Sequence, residues 1–303
     1  MSKEYEIIAK VDSINQGDHF CNITVKDQFN ETLNIKLEPS DLNNIVLGRA
    51  FVFKVLDKEL VEKEKTIIEY LSSAPIENVL DEKTLDELLP KFYTYAPIGP
   101  AAIKKAIEGY LAKIENKVYK DITKTIYKAH KDAYYIHPAA TKFHHAYVGG
   151  LSYHTLTMLK IADGFLDIYD YLDRDLVYAG IILHDIKKID EMTGVDGEYT
   201  KEGLLIGHIV MGTIDIDKTA NDLGYKDTEE VLLLKHTILS HHGLLNFGSP
   251  KKPQIGEALL IWYIDTIDSK LGTLGDVLAD TKEGTFTQSV PVLDKMRFYK
   301  RLK

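Results

Sequence analysis

The stretch Ala179-Gly-Ile-Ile-Leu-His-Asp-Ile-Lys-Lys188 is the most informative part of this chain. It places an adjacent histidine and aspartate, His184 and Asp185, inside a run that is otherwise apolar and helical in pattern. Burial of either side chain is costly unless a partner satisfies its polar atoms. A metal ion satisfies both, because a neutral imidazole nitrogen and a carboxylate oxygen can bind the same cation. The pair therefore predicts a metal centre in a helical domain.

Further candidate ligands recur around this pair at intervals of 24 to 33 residues. Each interval has room for one helix and its return connection, so a helical bundle could bring all of them to one point. They are His154, His208, the adjacent His241 and His242, and Asp265. Several histidines with two carboxylates suit Mn²⁺, Fe²⁺, Co²⁺ or Zn²⁺ better than Ca²⁺.

This set is large enough for one ion or two. The residues that suffice for one ion are His154, His184, Asp185 and Asp265. A second ion would use His208 and His241, with Asp185 as the bridge. Two ions about 4 Å apart are a standard arrangement for phosphoester hydrolysis, because they activate water and neutralise charge on the phosphoryl oxygens.

Three neighbouring positions each allow two interpretations. His242 competes with His241, and since adjacent helical residues point about 100° apart, one would bind metal and the other substrate. Asp268 lies one turn after Asp265 and is the better candidate for a hydrogen bond to a ligand. Lys188 lies one turn after the His-Asp pair and either contacts a phosphate or is a solvated lysine.

Two further groups of histidines are less informative. His144 and His145 precede Gly149 and Gly150, where a substrate could approach the backbone closely, although a tight turn before a helix gives the same pattern. Isolated histidines on apolar faces are usually satisfied core residues. We interpret three in that way: His130, His137 and His236.

The composition is that of a globular protein, with 45% hydrophobic and 27% charged residues among 303. One cysteine, Cys21, excludes a disulfide framework and a cysteine-rich zinc module. The first residues contain no signal peptide, and no apolar run reaches the roughly twenty residues of a membrane span. We therefore expect a cytoplasmic protein without membrane contact.

The charge is unevenly distributed. A formal net charge of −9 argues mildly against a nucleic-acid partner. However, residues 101–142 contain nine lysines against four acidic residues, and residues 294–303 contain five basic residues against one acidic residue. Such segments could steer an anionic polymer to one face, although charge alone favours solvated helix faces.

The periodicity of the apolar residues changes near residue 75. Before it, short runs alternate between apolar and polar residues, which predicts five strands and fits a small barrel of the OB type. After it, the spacing is helical, and the predicted helices include Leu176–Ile189, Glu202–Ile216, Thr228–Leu239 and Ile255–Leu271. The predicted organisation is an OB-like β-barrel at 1–75, a linker or helical junction at 76–100, an all-α helical bundle at 101–285 and a basic tail at 286–303.

The ordered set His154, His184-Asp185 and Asp265 resembles the HD-domain superfamily of metal-dependent phosphohydrolases, with Lys188 at the place of its trailing lysine. His208 and His241-His242 resemble the two-metal branch of that superfamily. The longer motif Phe143-His-His-Ala-Tyr-Val-Gly-Gly-Leu-Ser-Tyr-His154 is similar to the YhaM-type 3′–5′ exoribonuclease family, whose members join an N-terminal OB domain to an HD domain. One departure is Lys187, where family members often have glycine.

This resemblance implies hydrolysis of single-stranded RNA, and of DNA as a further substrate, from the 3′ end with one or two divalent ions, Mn²⁺ foremost. It implies catalytic roles for Asp185 and Lys188. The implied substrate contacts are His144, His145, Lys188 and His242. The acidic N-terminal domain either binds the strand or mediates assembly into a homo-oligomer. Two alternatives stay open: a nucleotide or cyclic-dinucleotide phosphohydrolase, and a non-catalytic nucleic-acid-binding protein.

Overall fold

The computed structural model describes residues 3–17, 20–60, 65–140, 146–195 and 197–302. The chain forms two compact units, Met1–Tyr95 with Thr193–Glu198, and Ala96–Met192 with Tyr199–Lys303. Within the described ranges, no helix combines the length and apolar character that a bilayer crossing needs. The four-part division near residues 75, 100 and 285 stays a prediction.

The first unit is built on a five-stranded sheet. Its strands are β1 (Lys3–Gly17), β2 (Phe20–Asp27), β3 (Thr32–Lys36), β4 (Ala50–Leu60) and β5 (Lys65–Pro75). They are ordered β1-β2-β3-β5-β4, and the sheet closes because β1 also pairs with β4. All neighbouring strands are antiparallel except β3 and β5, which are parallel.

Alternating side chains of these strands fill the inside of the closed sheet, as a period of two requires. Phe51 and Phe53 are both buried, with ring centroids 5.6 Å apart, so these two rings belong to the core of the closed sheet. Two helices follow, α1 (Ile76–Val79) and α2 (Glu82–Phe92). They bury Ile76 against Val52 on the other face of β4.

The second unit is helical. Its helices are α3 (Pro100–Lys113), α4 (Lys117–Tyr134), α5 (Gly150–Leu166), α6 (Arg174–Leu183), α7 (Lys188–Glu191), α8 (Lys201–Leu205), α9 (His208–Asp222), α10 (Glu229–Ser240) and α11 (Gly256–Asp280). Helix α6 lies at the centre and packs against α3, α4, α5, α10 and α11. Its residues from Leu176 to Leu183 are all buried. The polar residues that follow it are therefore delivered into the interior.

Two predicted helices are each broken in the structure. The predicted helix Leu176–Ile189 ends at Leu183, and residues 184–187 form tight turns in which the amide of Lys188 donates to the carbonyl of Asp185 (2.9 Å). The predicted helix Glu202–Ile216 is interrupted at Gly207, whose φ of 78° lies in the left-handed region. Hydrophobic spacing does not register such turns, because the apolar positions continue across them.

The residues predicted as a basic tail fold back on themselves. We call residues 284–300 the C-terminal hairpin. Its two arms are joined by bridges between Phe286 and Tyr299 and between Val290 and Met296. The hairpin lies beside α11.

We expect Gly243→Ala to destabilise the second unit. Gly243 follows the histidine pair with a φ of 72°, and an added Cβ would lie 2.0 Å from the Trp262 ring. Gly224 is the matched control, because its φ of 79° is similar but its Cβ would meet nothing within 4 Å. Gly224→Ala should cost about 1–2 kcal/mol of unfolding free energy through backbone strain alone. Gly243→Ala should cost about 1–3 kcal/mol more. Equal midpoints in urea denaturation would contradict this assignment.

Candidate metal centre

Five elements of the second unit each contribute candidate ligands to one buried centre. His184 and Asp185 follow the end of α6, and His154 lies in α5. His208 is the first residue of α9, and His241 directly follows α10. The other two candidates are His242 in the turn after α10 and Asp265 in α11. The ligand candidates predicted from separate helices thus come together.

One side of the centre is formed by His154, His184 and Asp185, whose ligand atoms lie within 4.8 Å of one another. The Nε2 atoms of the two histidines are 3.3 Å apart. Asp185 Oδ2 lies 3.2 Å from His184 Nε2 and 3.9 Å from His154 Nε2. Asp265 is outside this set of three, but its Oδ1 contacts His154 Nε2 at 3.3 Å.

The other side is formed by Asp185, His208, His241 and His242 under the same 4.8 Å limit. Asp185 Oδ1 lies 3.3 Å from His208 Nε2 and 3.7 Å from His241 Nε2. Asp185 therefore presents one oxygen to each side of the centre. Both His241 and His242 belong to this set, so the choice between them as ligand stays open.

Four histidines are held in the same way. Each turns its Nδ1 outwards to an acceptor and its Nε2 inwards. The acceptors are the Ile181 carbonyl for His184 (2.8 Å), the Ile238 carbonyl for His241 (2.7 Å), Glu191 for His208 (2.9 Å) and Asp268 for His154 (2.7 Å). A carbonyl oxygen can only accept, so Nδ1 of His184 and of His241 carries the proton and Nε2 presents a lone pair. This is the usual arrangement around metal-ligating histidines.

The inward-facing atoms fit a cation. Asp185 Oδ1, His208 Nε2 and His241 Nε2 are buried and have no hydrogen-bond partner in the described chain. Lone pairs of two imidazoles thus face a carboxylate oxygen at 3.3 and 3.7 Å. Acceptors facing one another in a buried site are unfavourable, and a divalent ion between them removes the conflict. Nitrogen and oxygen donors of this kind suit a transition-metal ion.

The carboxylates of the centre are ionised. Burial alone would raise the pKa of Asp185, but neighbouring His184 and Lys188 hold that pKa well below its usual value. Burial would raise the pKa of Asp265, but the hydrogen bond and electrostatic interaction with His154, together with His184, lower it. Burial lowers and Asp185 raises the pKa of Lys188, with a net upward shift. The centre thus combines two anionic carboxylates with one ammonium group.

The histidine pKa values differ between the two sides. Burial would lower the pKa of His154, but hydrogen bonds with Asp265 and Asp268 raise it to about 10. Burial is the main cause that lowers the pKa of His242 to about 4, and the neighbouring His241 ring adds to the effect. The pKa of His208 is also lowered, chiefly by burial. The neutral, metal-binding form is therefore favoured on the side of His208 and His242.

The remaining predicted site residues are placed as follows. Lys188 is half-buried, and its Nζ donates to Asp185 Oδ2 at 2.8 Å, so it is not a solvated lysine. Asp268 Oδ2 lies 2.7 Å from the outer nitrogen of His154, and its role as the partner of a metal ligand stays a prediction. His144 and His145 lie outside the described residues.

The three histidines interpreted as core residues all have partners away from the centre. The Nε2 of His236 accepts from the amide of Gln254 at 2.9 Å. His137 is buried between backbone carbonyls of Pro138 and Met192. His130 Nε2 lies 3.5 Å from Asp190.

Glu191 is a site residue that the sequence analysis missed. Its carboxylate accepts from both the backbone amide and the ring Nδ1 of His208. Burial would raise the pKa of Glu191, but the hydrogen bond from His208 lowers it. The spacing of hydrophobic residues does not single out Glu191, because a carboxylate just before a polar loop is common. The available signal in the sequence is its place seven residues after His184, at the end of α7.

Comparison with known proteins agrees with this geometry. A family model described as HD domain matches residues 151–270, which include all six predicted metal ligands. The helical unit therefore contains an HD domain, and the His184-Asp185 pair lies within the matched range. The 3′-5′ exoribonuclease YhaM of Bacillus subtilis (strain 168) is 35% identical over 290 residues, covering 94% of this chain and 90% of that protein. The chain belongs to the YhaM family of 3′-5′ exoribonucleases.

Two other relatives carry the same name. The 3′-5′ exoribonuclease YhaM of Shouchella clausii (strain KSM-K16) is 38% identical over 249 residues, covering 81% of this chain and 78% of its own. The protein of that name from Bacillus licheniformis is 43% identical over 210 residues, covering 69% and 67%. The similarity therefore extends well beyond the ligand motif.

We expect Mn²⁺ to stabilise the folded chain through Asp185. An ion at a hundred times its Kd that binds only the folded state adds about 2.7 kcal/mol to the unfolding free energy. Asp185→Asn keeps the shape but removes the charge shared by both sides, so most of this gain should disappear. The exposed Asp170→Asn is the control. Thermal unfolding with Mn²⁺ and with chelator measures the difference, and an undiminished gain in Asp185→Asn would rule out this centre.

We expect Glu191→Gln to weaken metal binding without removing a ligand. The amide keeps the size of the side chain but loses the charge that polarises the His208 ring. Loss of such an outer partner typically lowers metal affinity about 10- to 100-fold. Calorimetric titration with Mn²⁺ gives the affinity, and the exposed Glu202→Gln serves as control. Equal affinities for both variants would show that Glu191 has only a structural role.

Proposed function

We propose that this chain is a metal-dependent 3′-5′ exoribonuclease that hydrolyses the terminal phosphodiester bond of single-stranded RNA. The observation that carries the proposal is the sharing of Asp185 between two sets of histidines, with one oxygen facing each. A carboxylate in that position can bridge two ions. The names of the similar proteins supply the polarity and the RNA substrate.

The proposed ligands are those of the two sets together with Asp265, and either Mn²⁺ or another transition-metal ion of similar preference fits them. When bound, such ions would lower the pKa of a coordinated water and neutralise charge on the phosphoryl oxygens. The outer hydrogen bonds of the histidine Nδ1 atoms fix each ring and keep its Nε2 available.

Lys188 has two proposed tasks. Its ammonium group already donates to Asp185 Oδ2, so it fixes the orientation of the shared carboxylate. The same ammonium group brings a positive charge to the edge of the centre, so it would also offset charge that develops on the phosphate. The pKa of Lys188 is raised, so it stays protonated at neutral pH.

The substrate would enter on the side of His242 and Asp265. Asp185 and His241 are almost completely buried, whereas the Asp265 side chain is 16% exposed and His242 is half-buried. His242 is therefore proposed to contact the terminal nucleotide. His144 and His145 are proposed as further contacts on the strength of the sequence motif alone.

Several finer assignments are also proposals. The closed five-stranded order with one parallel pair supports an OB-type barrel in the first unit, which would guide the strand or mediate assembly into a homo-oligomer. DNA is proposed as a second substrate, because a metal centre of this kind would act on the phosphate, which RNA and DNA share. A cytoplasmic location stays a prediction from the cysteine content.

We expect purified protein with Mn²⁺ to shorten 5′-labelled single-stranded RNA into a ladder from the 3′ end, and chelator to stop it. His184→Ala removes a ligand and should lower the rate about a thousandfold or more, since metal assistance is worth several kcal/mol. His236→Ala is the matched control, because His236 lies outside the centre. Gel electrophoresis of timed samples measures both variants.

Two results would contradict this proposal. Full activity of His184→Ala would exclude the centre as the site of hydrolysis. Turnover of mononucleotides or cyclic dinucleotides with RNA left intact would assign the same centre to a small-molecule phosphohydrolase.

A further inference from the structure

The C-terminal hairpin exposes two aromatic rings side by side. Phe286 is 57% and Tyr299 51% exposed, which is high for large aromatic side chains. They occupy opposite positions on the two arms, with ring centroids 5.3 Å apart and planes inclined by 56°. Exposed aromatic faces are the surfaces on which single-stranded nucleic acids stack their bases.

One basic side chain lies against this pair of rings, and two more are exposed nearby in the sequence. Arg297 lies with its guanidinium 5.9 Å from the centroid of Phe286, and its Nε donates to the Thr287 carbonyl at 3.0 Å. Lys295 and Arg301 are exposed on the same short segment. Aromatic rings interleaved with cations match a polymer that alternates bases and phosphates.

The hairpin holds these groups in a fixed arrangement. The amide of Thr287 donates to the Phe298 carbonyl (2.8 Å), and the amide of Val290 donates to the Met296 carbonyl (3.0 Å). The turn at its tip places two consecutive non-glycine residues, Asp294 and Lys295, in the left-handed region, with φ of 54° and 58°. A surface ordered before binding loses less conformational entropy when the ligand binds.

The hairpin is anchored to the helix that carries two residues of the metal centre. Lys270 donates to Asp294 at 3.4 Å, and Lys300 donates to the carbonyl of Ala279 at 3.3 Å. Along α11 these anchors lie about 7.5 and 21 Å from Asp265 at 1.5 Å per residue. Asp265 is also on the more exposed edge of the centre.

We propose that the C-terminal hairpin binds single-stranded RNA upstream of the 3′ end, with Phe286 and Tyr299 stacking bases and with Lys295 and Arg297 contacting phosphates. The inference rests on the proposed exoribonuclease function, because an enzyme that shortens a strand stepwise benefits from holding the part not yet cut. Charge complementarity favours RNA as the ligand of the hairpin, because the hairpin is basic whereas the chain as a whole has a net charge of −9.

The test compares two pairs of exposed aromatic residues. Phe286→Ala/Tyr299→Ala removes the proposed stacking surface. Tyr169→Ala/Tyr171→Ala is the control, since those rings are 44% and 74% exposed and 6.0 Å apart on the connection between α5 and α6. Binding of 5′-fluorescein-labelled oligouridine is measured by anisotropy in chelator, and KM and kcat for the same RNA are measured with Mn²⁺.

We expect the hairpin variant to raise both Kd and KM about fivefold or more, with kcat changed much less, as the loss of one stacked base predicts. The control should match the unmodified chain. Lys295→Ala/Arg297→Ala should flatten the dependence of log Kd on log salt by about 0.7 for each phosphate that the variant no longer binds. The matched control for charge is Lys251→Ala/Lys252→Ala, two exposed lysines in another loop.

Other outcomes separate the possible failures. Unchanged Kd and KM in the hairpin variant would overturn the inference even if RNA is shortened normally. A changed molecular mass in light scattering, with unchanged Kd, would assign the hairpin to a contact between copies of the chain. An unmodified chain that binds RNA through the hairpin but never shortens it would overturn the proposed function and leave the binding surface in place.

Discussion

The helical unit depends on an electrostatic conflict at its centre. Imidazole nitrogens of His184 and His208 lie 3.2 and 3.3 Å from the two oxygens of Asp185, and Asp185 Oδ1 is buried without a hydrogen-bond partner in the described chain. Such an arrangement is unfavourable by itself, and a cation is the simplest way to make it favourable. This arrangement of side chains therefore lowers the stability of the metal-free protein and favours the binding of a cation.

Packing and hydrogen bonds around the centre hold these side chains in place despite their mutual repulsion. Helix α6 is buried from Leu176 to its end at Leu183 and is packed on several sides by other helices, so its end is fixed in space. Outer hydrogen bonds then fix each imidazole ring, from carbonyls for His184 and His241 and from a carboxylate for His208. Apolar packing therefore fixes the position of the ligand residues, and hydrogen bonds to groups outside the ligand set fix the orientation of their rings.

The sequence was informative where polar residues interrupt apolar segments. His184, Asp185 and Asp265 stand out for that reason, and the structure brings them to one centre. Glu191 does not stand out, because it lies in a segment that is already polar and acts through His208. The break after Leu183 and the C-terminal hairpin were also missed. Turns that keep helical spacing, and arms joined by isolated bridges, leave the hydrophobic period unchanged or too short to recognise.

Two of the rings also act as helix caps. The Nδ1–H groups of His184 and His241 each donate a hydrogen bond to a carbonyl three residues earlier, in the last turn of α6 and of α10. The final carbonyls of a helix normally lack partners and fray. An ion bound at Nε2 of these rings would fix their orientation, and with it the Nδ1 hydrogen bonds that hold the two helix ends. Occupancy of the centre should accordingly be recorded in the rigidity of backbone segments that never touch the ion.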